Sequence, residues 1–343
     1  MRRGLIAWSR EEVPASVLDA RIAKLQEKMR SAGLGVALVY TSFARPSAVA
    51  WLTHFVPYWN EGLLVVLPSG APVLLAAFSK RMHDWIRSTS HVGEVQSVPD
   101  LGRATADFLE RISGISRIGV FELDALPWLV AEPLVNSRHG KALTDATALF
   151  TSIRQPADET EIHLARRAAD IAAKALAAIP AGAKRASQVL SAIERSARLA
   201  GAEEVLPRLA PDLALDATLR RFEGDAALGE RYAVGLSVAY KATWTRAVRC
   251  YAERMPDSWI DAQRRMAAWA SRLSEAAPSL QPDDAAFWSV EACVGSQPLS
   301  VVASSDGAHR TVRAGTLACV SLRLDLSDGP WLGGGPAVIG VRA

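Results

Sequence analysis

Three cysteines, six histidines and a scatter of carboxylates are the residues that chemistry would recruit first in this chain. Cys250, Cys293 and Cys319 all fall in the second half, and none belongs to a C-x-x-C pair. A zinc ribbon and a thioredoxin-type dithiol are thereby set aside. An odd cysteine count also fits a reduced, intracellular chain better than a disulfide scaffold. Cys293 and Cys319 are candidate nucleophiles, but no histidine stands near either, and an isolated cysteine ordinarily behaves as a small hydrophobe. Glu291 and Asp325 can be read as an acid/base pair. His54 and His83 stand in the first half. Gly333, Gly334 and Gly335 lack the following Lys-Ser/Thr of a phosphate loop, so they read as a tight turn or a close backbone approach.

These groups must be positioned by 343 residues, of which 50% are hydrophobic and 22% charged, with a net charge of +3. That length suggests two domains, and the apolar fraction excludes a mainly disordered chain. Basic residues are dispersed and not interleaved with aromatics, so no nucleic-acid partner is expected. The opening Met-Arg-Arg is followed by Glu11 and Glu12 before any long apolar run, unlike a secretory signal. The apolar stretches Gly62–Pro68 and Pro72–Phe78 are too short to span a bilayer. The expectation is a cytoplasmic protein without a membrane partner.

The first half alternates helix and strand, which points to an α/β layer domain. Ser16 can cap a helix with Val17, Leu18, Ile22, Leu25 and Met29 on its apolar face, stopped by Gly33 and Gly35. Val36–Tyr40 reads as a buried strand. Gly62–Pro68 and Pro72–Ala76, joined by Pro68-Ser-Gly70, read as a hairpin. Near Arg154-Gln-Pro-Ala157 the pattern changes, giving domains 1–153 and 154–343. Asp158 and Glu159 open a long helix with a small-residue face (Ala165, Ala168, Ala172), ended by Pro180. Helices over Ser187–Leu199 and Trp259–Ala276 and strands over Tyr232–Tyr240, Trp244–Tyr251 and Thr316–Leu326 make the second half α+β.

Several strings resemble the creatinase/prolidase/aminopeptidase P family. Arg21-Ile-Ala-Lys-Leu-Gln-Glu-Lys-Met29 and Gly33-Leu-Gly-Val-Ala-Leu-Val39 are similar to its opening helix and strand. Ala50-Trp-Leu-Thr-His-Phe55 stands in place of its Tyr-Leu-Thr-Gly-Phe, and Leu63–Leu74 resembles its hairpin. Ile153-Arg-Gln-Pro-Ala-Asp-Glu-Thr-Glu-Ile162 resembles the junction between its two domains. The resemblance implies an α/β creatinase-like N-terminal domain followed by an α+β pita-bread domain.

It also implies chemistry that this chain does not spell. The typical member holds two divalent metals with two aspartates, a histidine and two glutamates, and a bridging hydroxide attacks the peptide carbonyl. Here Gly229-Glu-Arg-Tyr-Ala-Val-Gly235 puts Gly235 at the first aspartate. Tyr240-Lys-Ala-Thr-Trp-Thr-Arg-Ala-Val-Arg-Cys250 puts Arg246 at the second, and a guanidinium has no acceptor for a metal. Arg249 matches the family arginine. His163 belongs to the linker helix, and His309 lacks the family's glycine-flanked context. Val290–Gly295 offers Cys293 or its neighbours instead of the histidine. Cys319–Asp325 offers Arg323 instead of a glutamate, and the last ligand strand becomes Leu332–Val338 with glycines. The metal-free mechanism of creatinase itself uses a histidine that would fall near Thr218–Arg221, where there is none.

The resemblance therefore implies a member without metal or other cofactor. Tyr240, Trp244, Arg246, Arg249, Glu291, Arg323 and Asp325 are the cleft candidates. Arg246 is expected to take Glu291 or Asp325 as acceptor, with Trp244 as a wall. The tryptophans Trp259, Trp269, Trp288 and Trp331 are read as core or as cavity lining. Three readings remain: a non-catalytic homologue binding a small, anionic molecule or a protein partner; a metal-independent hydrolase or lyase using the same cleft; or an Xaa-Pro peptidase whose ligands lie elsewhere. Dimeric members imply a homodimer, or a dimer with an active paralogue.

Overall fold

A computed structural model describes residues 8–57, 59–275, 280–307 and 312–340. They divide into two compact units: residues up to Arg154 with Val294–Pro298, and Gln155–Cys293 with the residues from Leu299 onward.

In the first unit α1 (Ala15–Ser31) buries Leu18, Ile22, Leu25 and Met29 at the spacing of one helical face. Ser16, the expected cap, lies inside its first turn, because Pro14 takes the cap position. Gly33, at φ +65°, turns the chain into β1 (Val36–Ser42). Ala48–Leu52 belongs to a short helix, α2 (Ser47–Thr53). The expected hairpin is present as β2 (Glu61–Val66) and β3 (Val73–Ala76), paired antiparallel. There follow α3 (His83–Thr89), β4 (Glu94–Ser97), α4 (Leu101–Glu110), β5 (Ile118–Val120), α5 (Trp128–Val135), β6 (Leu143–Asp145) and α6 (Thr147–Arg154). The sheet runs β4-β3-β2-β1-β5-β6, parallel at β3–β4, β1–β5 and β5–β6. Alternate residues of β1 serve two cores. Ala37 and Val39 pack with α1 and α2, whereas Val36 and Leu38 pack with α4 and α5. That is a layered α/β domain.

The second unit opens with α7 (Glu159–Ala177), whose Asp158 cap accepts from the Glu161 amide at 2.8 Å. Then come α8 (Ala186–Leu199), β7 (Glu204–Ala210), β8 (Arg231–Tyr240), β9 (Thr243–Ala252), α9 (Asp257–Leu273), β10 (Phe287–Ala292), β11 (Ser300–Ser304), β12 (Thr316–Leu326) and β13 (Gly329–Ile339). The end expected for α9, Ala276, lies outside the described residues. The sheet order is β11-β10-β12-β13-β9-β8-β7, antiparallel throughout. Ala168, Ala172 and Ala175 bring α7 close to β8 and β9. Val234, Leu236 and Val238 of β8 face this helix layer, so Gly235 and Ser237, one residue out of phase, face the other side. The glycine tract is not a turn. It lies within β13, where a Cβ on Gly334 would stand 2.6 Å from the Val320 carbonyl oxygen of β12. Among the described residues no helix is long and apolar enough to cross a membrane.

The β8–β9 turn has both central residues, Lys241 and Ala242, at positive φ (47° and 63°) without a glycine. Glu203 holds it by accepting from the Ala242 amide at 3.0 Å. Burial raises this carboxyl to about 7. The folded state thus keeps a proton that the unfolded chain releases near pH 4–5. The stabilisation is present at acid pH and is lost as pH rises through about 7. Between pH 5 and pH 8 the urea midpoint of the wild type should therefore fall more than that of Glu203→Gln; parallel curves would remove Glu203 as the cause.

Candidate functional site

The face of the second sheet that carries Gly235 and Ser237 opens into a cavity of about 600 Å3. Register fixes what lines it. Gly235 lies opposite Val248 and Ser237 opposite Arg246, while Ser289 lies opposite Ser321 and Phe287 opposite Arg323. Side chains of directly paired residues emerge on the same side. Arg246 therefore projects from β9 beside Ser237, and Glu291 lies two residues beyond Ser289 on the same face of β10.

Arg246 and Glu291 form an ion pair across this face through Nη1 and Oε2, their side chains only 21% and 12% exposed. The Arg246 Nε donates to Ser237 Oγ at 2.9 Å, and its backbone N–H donates to Cys319 Sγ at 3.1 Å. Burial pushes the Cys319 thiol up to about 11, so it remains a thiol and an acceptor at neutral pH. Arg323 also lines the cavity but pairs with Asp325 at 2.9 Å on a half-exposed surface. Arg208, exposed on β7, makes no ion pair or side-chain hydrogen bond among the described residues, and it too lines the cavity.

The remaining candidates disperse. Asp325 is engaged with Arg323 and does not line the cavity, so it cannot form an acid/base pair with Glu291, itself committed to Arg246. Trp244 is buried opposite Ala239 nearer the turn and supplies no wall. Tyr240 lies at the end of β8 beneath the Arg167 guanidinium, 5.8 Å from its ring centroid. Arg249, three residues beyond Arg246, points to a second cavity on the opposite face. In the first unit His83 pairs with Ser97 Oγ at 2.8 Å, and His54 is buried at the end of α2.

Residues 21–155 match the family model of the creatinase/prolidase N-terminal domain. The first domain is thereby a creatinase/prolidase N-terminal domain in kind. Over its whole length it has the same fold as the prolidase from Pyrococcus horikoshii OT3, at 16% identity and a TM-score of 0.73, covering 94% of this chain and 96% of that one. It is similar to the X-Pro aminopeptidase from Thermotoga maritima MSB8 (14% identity, 94% and 95% covered, TM-score 0.70). It is also similar to a dipeptidase from Mycobacterium ulcerans (16%, 96% and 95%, TM-score 0.67). No curated protein matches by sequence. The architecture is that of a two-domain pita-bread protein.

A dinuclear metal centre of the kind this family implies does not fit the residues present. A Cβ at position 235 would stand 3.0 Å from Leu219 Cδ1, so an aliphatic side chain borders the space open to a first aspartate. The second position carries the paired Arg246. On β13 the glycine opposite Ser321 is Gly334, on the cavity face, and a Cβ there would stand 2.6 Å from the Val320 carbonyl oxygen, which closes that position to a carboxylate. Among the described residues no three His, Cys, Asp or Glu side chains come together to hold a metal ion. His163 is on α7, and His309 lies outside the described residues.

Ser237, Leu219 and Arg208 were not singled out from the sequence. Ser237 was findable, because strand alternation from Gly235 places it on the same face. Arg208 sits beside Pro207 in a strand that proline disguises.

With Arg246 removed, Glu291 would be left as a largely buried, unpaired carboxylate. Arg246→Ala should cost about 3 kcal/mol in urea unfolding. Arg246→Lys should recover little of it, because an ammonium lacks the fork that reaches Ser237 and Glu291 together. An unchanged midpoint for Arg246→Ala would contradict this geometry.

Proposed function

We propose that this creatinase/prolidase-family protein is a non-catalytic, peptidase-like homologue whose second-domain cavity binds a small anionic molecule. One observation carries the reading. The Arg246–Glu291 pair lines the cavity, while Arg208, another of its lining residues, has no partner among the described residues. An internally neutralised centre cannot polarise a peptide carbonyl, but a free guanidinium with nearby Ser237, Ser289 and Ser321 hydroxyls suits a carboxylate. Metal-independent catalysis gains no support here, since Glu291 is engaged with Arg246 and the other lining acid, Asp306, is exposed and forms no acid/base pair among the described residues. We further propose a cytoplasmic homodimer.

Calorimetric titration with acetate, succinate and N-acetylglycine tests the ligand class. At least one should bind, and Arg208→Ala should weaken it about tenfold, the worth of one charge-assisted hydrogen bond, with no change in melting temperature. Failure of all three would remove the anion reading.

The whole-length likeness to proteins described as a prolidase and an X-Pro aminopeptidase favours a second reading, an Xaa-Pro peptidase. The two separate on metal. After dialysis against Mn, Co or Zn, elemental analysis should find no stoichiometric metal, no Xaa-Pro peptide should be cleaved, and Arg246→Asp should not restore either property. About two metals per chain would establish the second reading. Light scattering should give twice the 36.8 kDa chain mass; a monomer at micromolar concentration would refute the dimer.

A further inference from the structure

Among the described residues five charged side chains line the second-domain cavity, and three of them are already paired. Arg246 holds Glu291, and Arg323 holds Asp325. Arg208 and Asp306 remain. They are opposite in sign, both are exposed, and neither makes an ion pair or a side-chain hydrogen bond among the described residues.

Where these two stand follows from strand register. Arg208 on β7 lies opposite Gly235, and the same row then crosses every strand of the sheet, through Val248, Gly334, Ser321 and Ser289 to Ser304 on β11. Asp306 comes two residues after Ser304, in the turn that follows the strand. Arg208 and Asp306 therefore mark opposite edges of the seven-stranded sheet. With strands about 4.8 Å apart, the steps from β7 to β11 add up to about 29 Å along the sheet surface.

The row between the two charges is built from small side chains. Apart from Val248 it is glycine and serine, and every member but Gly334 lines the cavity. Such a floor is a trough running across the strands. The Arg246–Glu291 pair borders it on one side, in the next row, which holds Ser237. Phe287 and Leu332, two residues from Ser289 and Gly334, border it on the other. Leu219 lies over Gly235 and covers the end nearer Arg208.

We propose that this trough takes an elongated zwitterion, its carboxylate at Arg208 and an ammonium group, at the far end of its body, at Asp306. The proposal rests on the anion reading of the same cavity and adds to it a second charge and a length. An α-amino acid carries both charges on one carbon, so it reaches one of these groups and not both. Opposite charges at the two ends fix the direction in which a bipolar molecule lies and repel the reversed orientation. The floor of glycines and serines suits an unbranched chain lying across the strands.

The test is calorimetric titration of the full chain with straight-chain acids in pairs that differ only at the far end, the ω-amino and ω-hydroxy forms of butanoate, octanoate and decanoate. The butanoate pair should bind alike, because its amine cannot reach Asp306 from Arg208. At octanoate or decanoate the amino acid should bind about fivefold more tightly than the hydroxy acid, the upper worth of an exposed ion pair. Asp306→Asn should abolish that preference and keep the affinity for the hydroxy acids. Arg208→Ala should weaken both members of each pair about tenfold. The proposal is overturned if amino and hydroxy acids bind equally at every length, if the butanoate pair shows the same preference as the longer ones, or if Asp306→Asn retains the preference. The hydroxy acids separate the two readings. If they bind through Arg208 and the amine adds nothing, the anion reading stands and the zwitterion falls; if no acid of either kind binds, both fall.

Discussion

A guanidinium set in the middle of a sheet face has to find acceptors before the chain can close around it. Arg246 is 21% exposed, and its attachment to Glu291 and Ser237 is the interaction on which the arrangement of the second-domain cavity depends. An ionised group buried without a partner is costly, and breaking such a pair costs more than never having made it. The pair ties β9 to β10, strands that are not neighbours in the sheet, with the Cys319 thiol of β12 accepting the Arg246 amide between them.

Around this pair much of the cavity lining is apolar, and Arg323 is paired with Asp325. Leu219 lies over Gly235, so an apolar group borders the space into which a carboxylate at that position would project. Among the described residues two lining charges are left without an internal partner, Arg208 and the exposed Asp306. Of these two, the guanidinium is the group that would take an anion. The fold is that of prolidases and related peptidases, yet what the protein does resides in these side chains and not in the scaffold.

Much of the scaffold was legible in the sequence, for definite reasons. The periodicity of Leu18, Ile22, Leu25 and Met29 marked α1, the Pro68-Ser-Gly70 turn marked the β2–β3 hairpin, and Asp158 marked the start of α7. Gly235 and Arg246 stood out because the surrounding strings resemble a known family, and both lie on the cavity face. What escaped was set by tertiary contact. β7 contains Pro207, tolerated because the strand lies at the sheet edge. β13 carries three consecutive glycines, a pattern without strand propensity, and is held by pairing with β12 along its whole length. Neither Ser237 as the partner of Arg246 nor Asp325 as the partner of Arg323 follows from spacing alone, because acceptor choice is decided by register and rotamer.

The most direct test of the central claim is a double-mutant cycle of Arg246→Met and Glu291→Gln, read by urea unfolding of the full chain. A pair that holds the cavity together should show a coupling of about 2 kcal/mol, with the double variant more stable than Arg246→Met alone, since no unpaired carboxylate remains. Strictly additive penalties, with a coupling near zero, would mean that Arg246 and Glu291 do not sustain each other, and the account would fail.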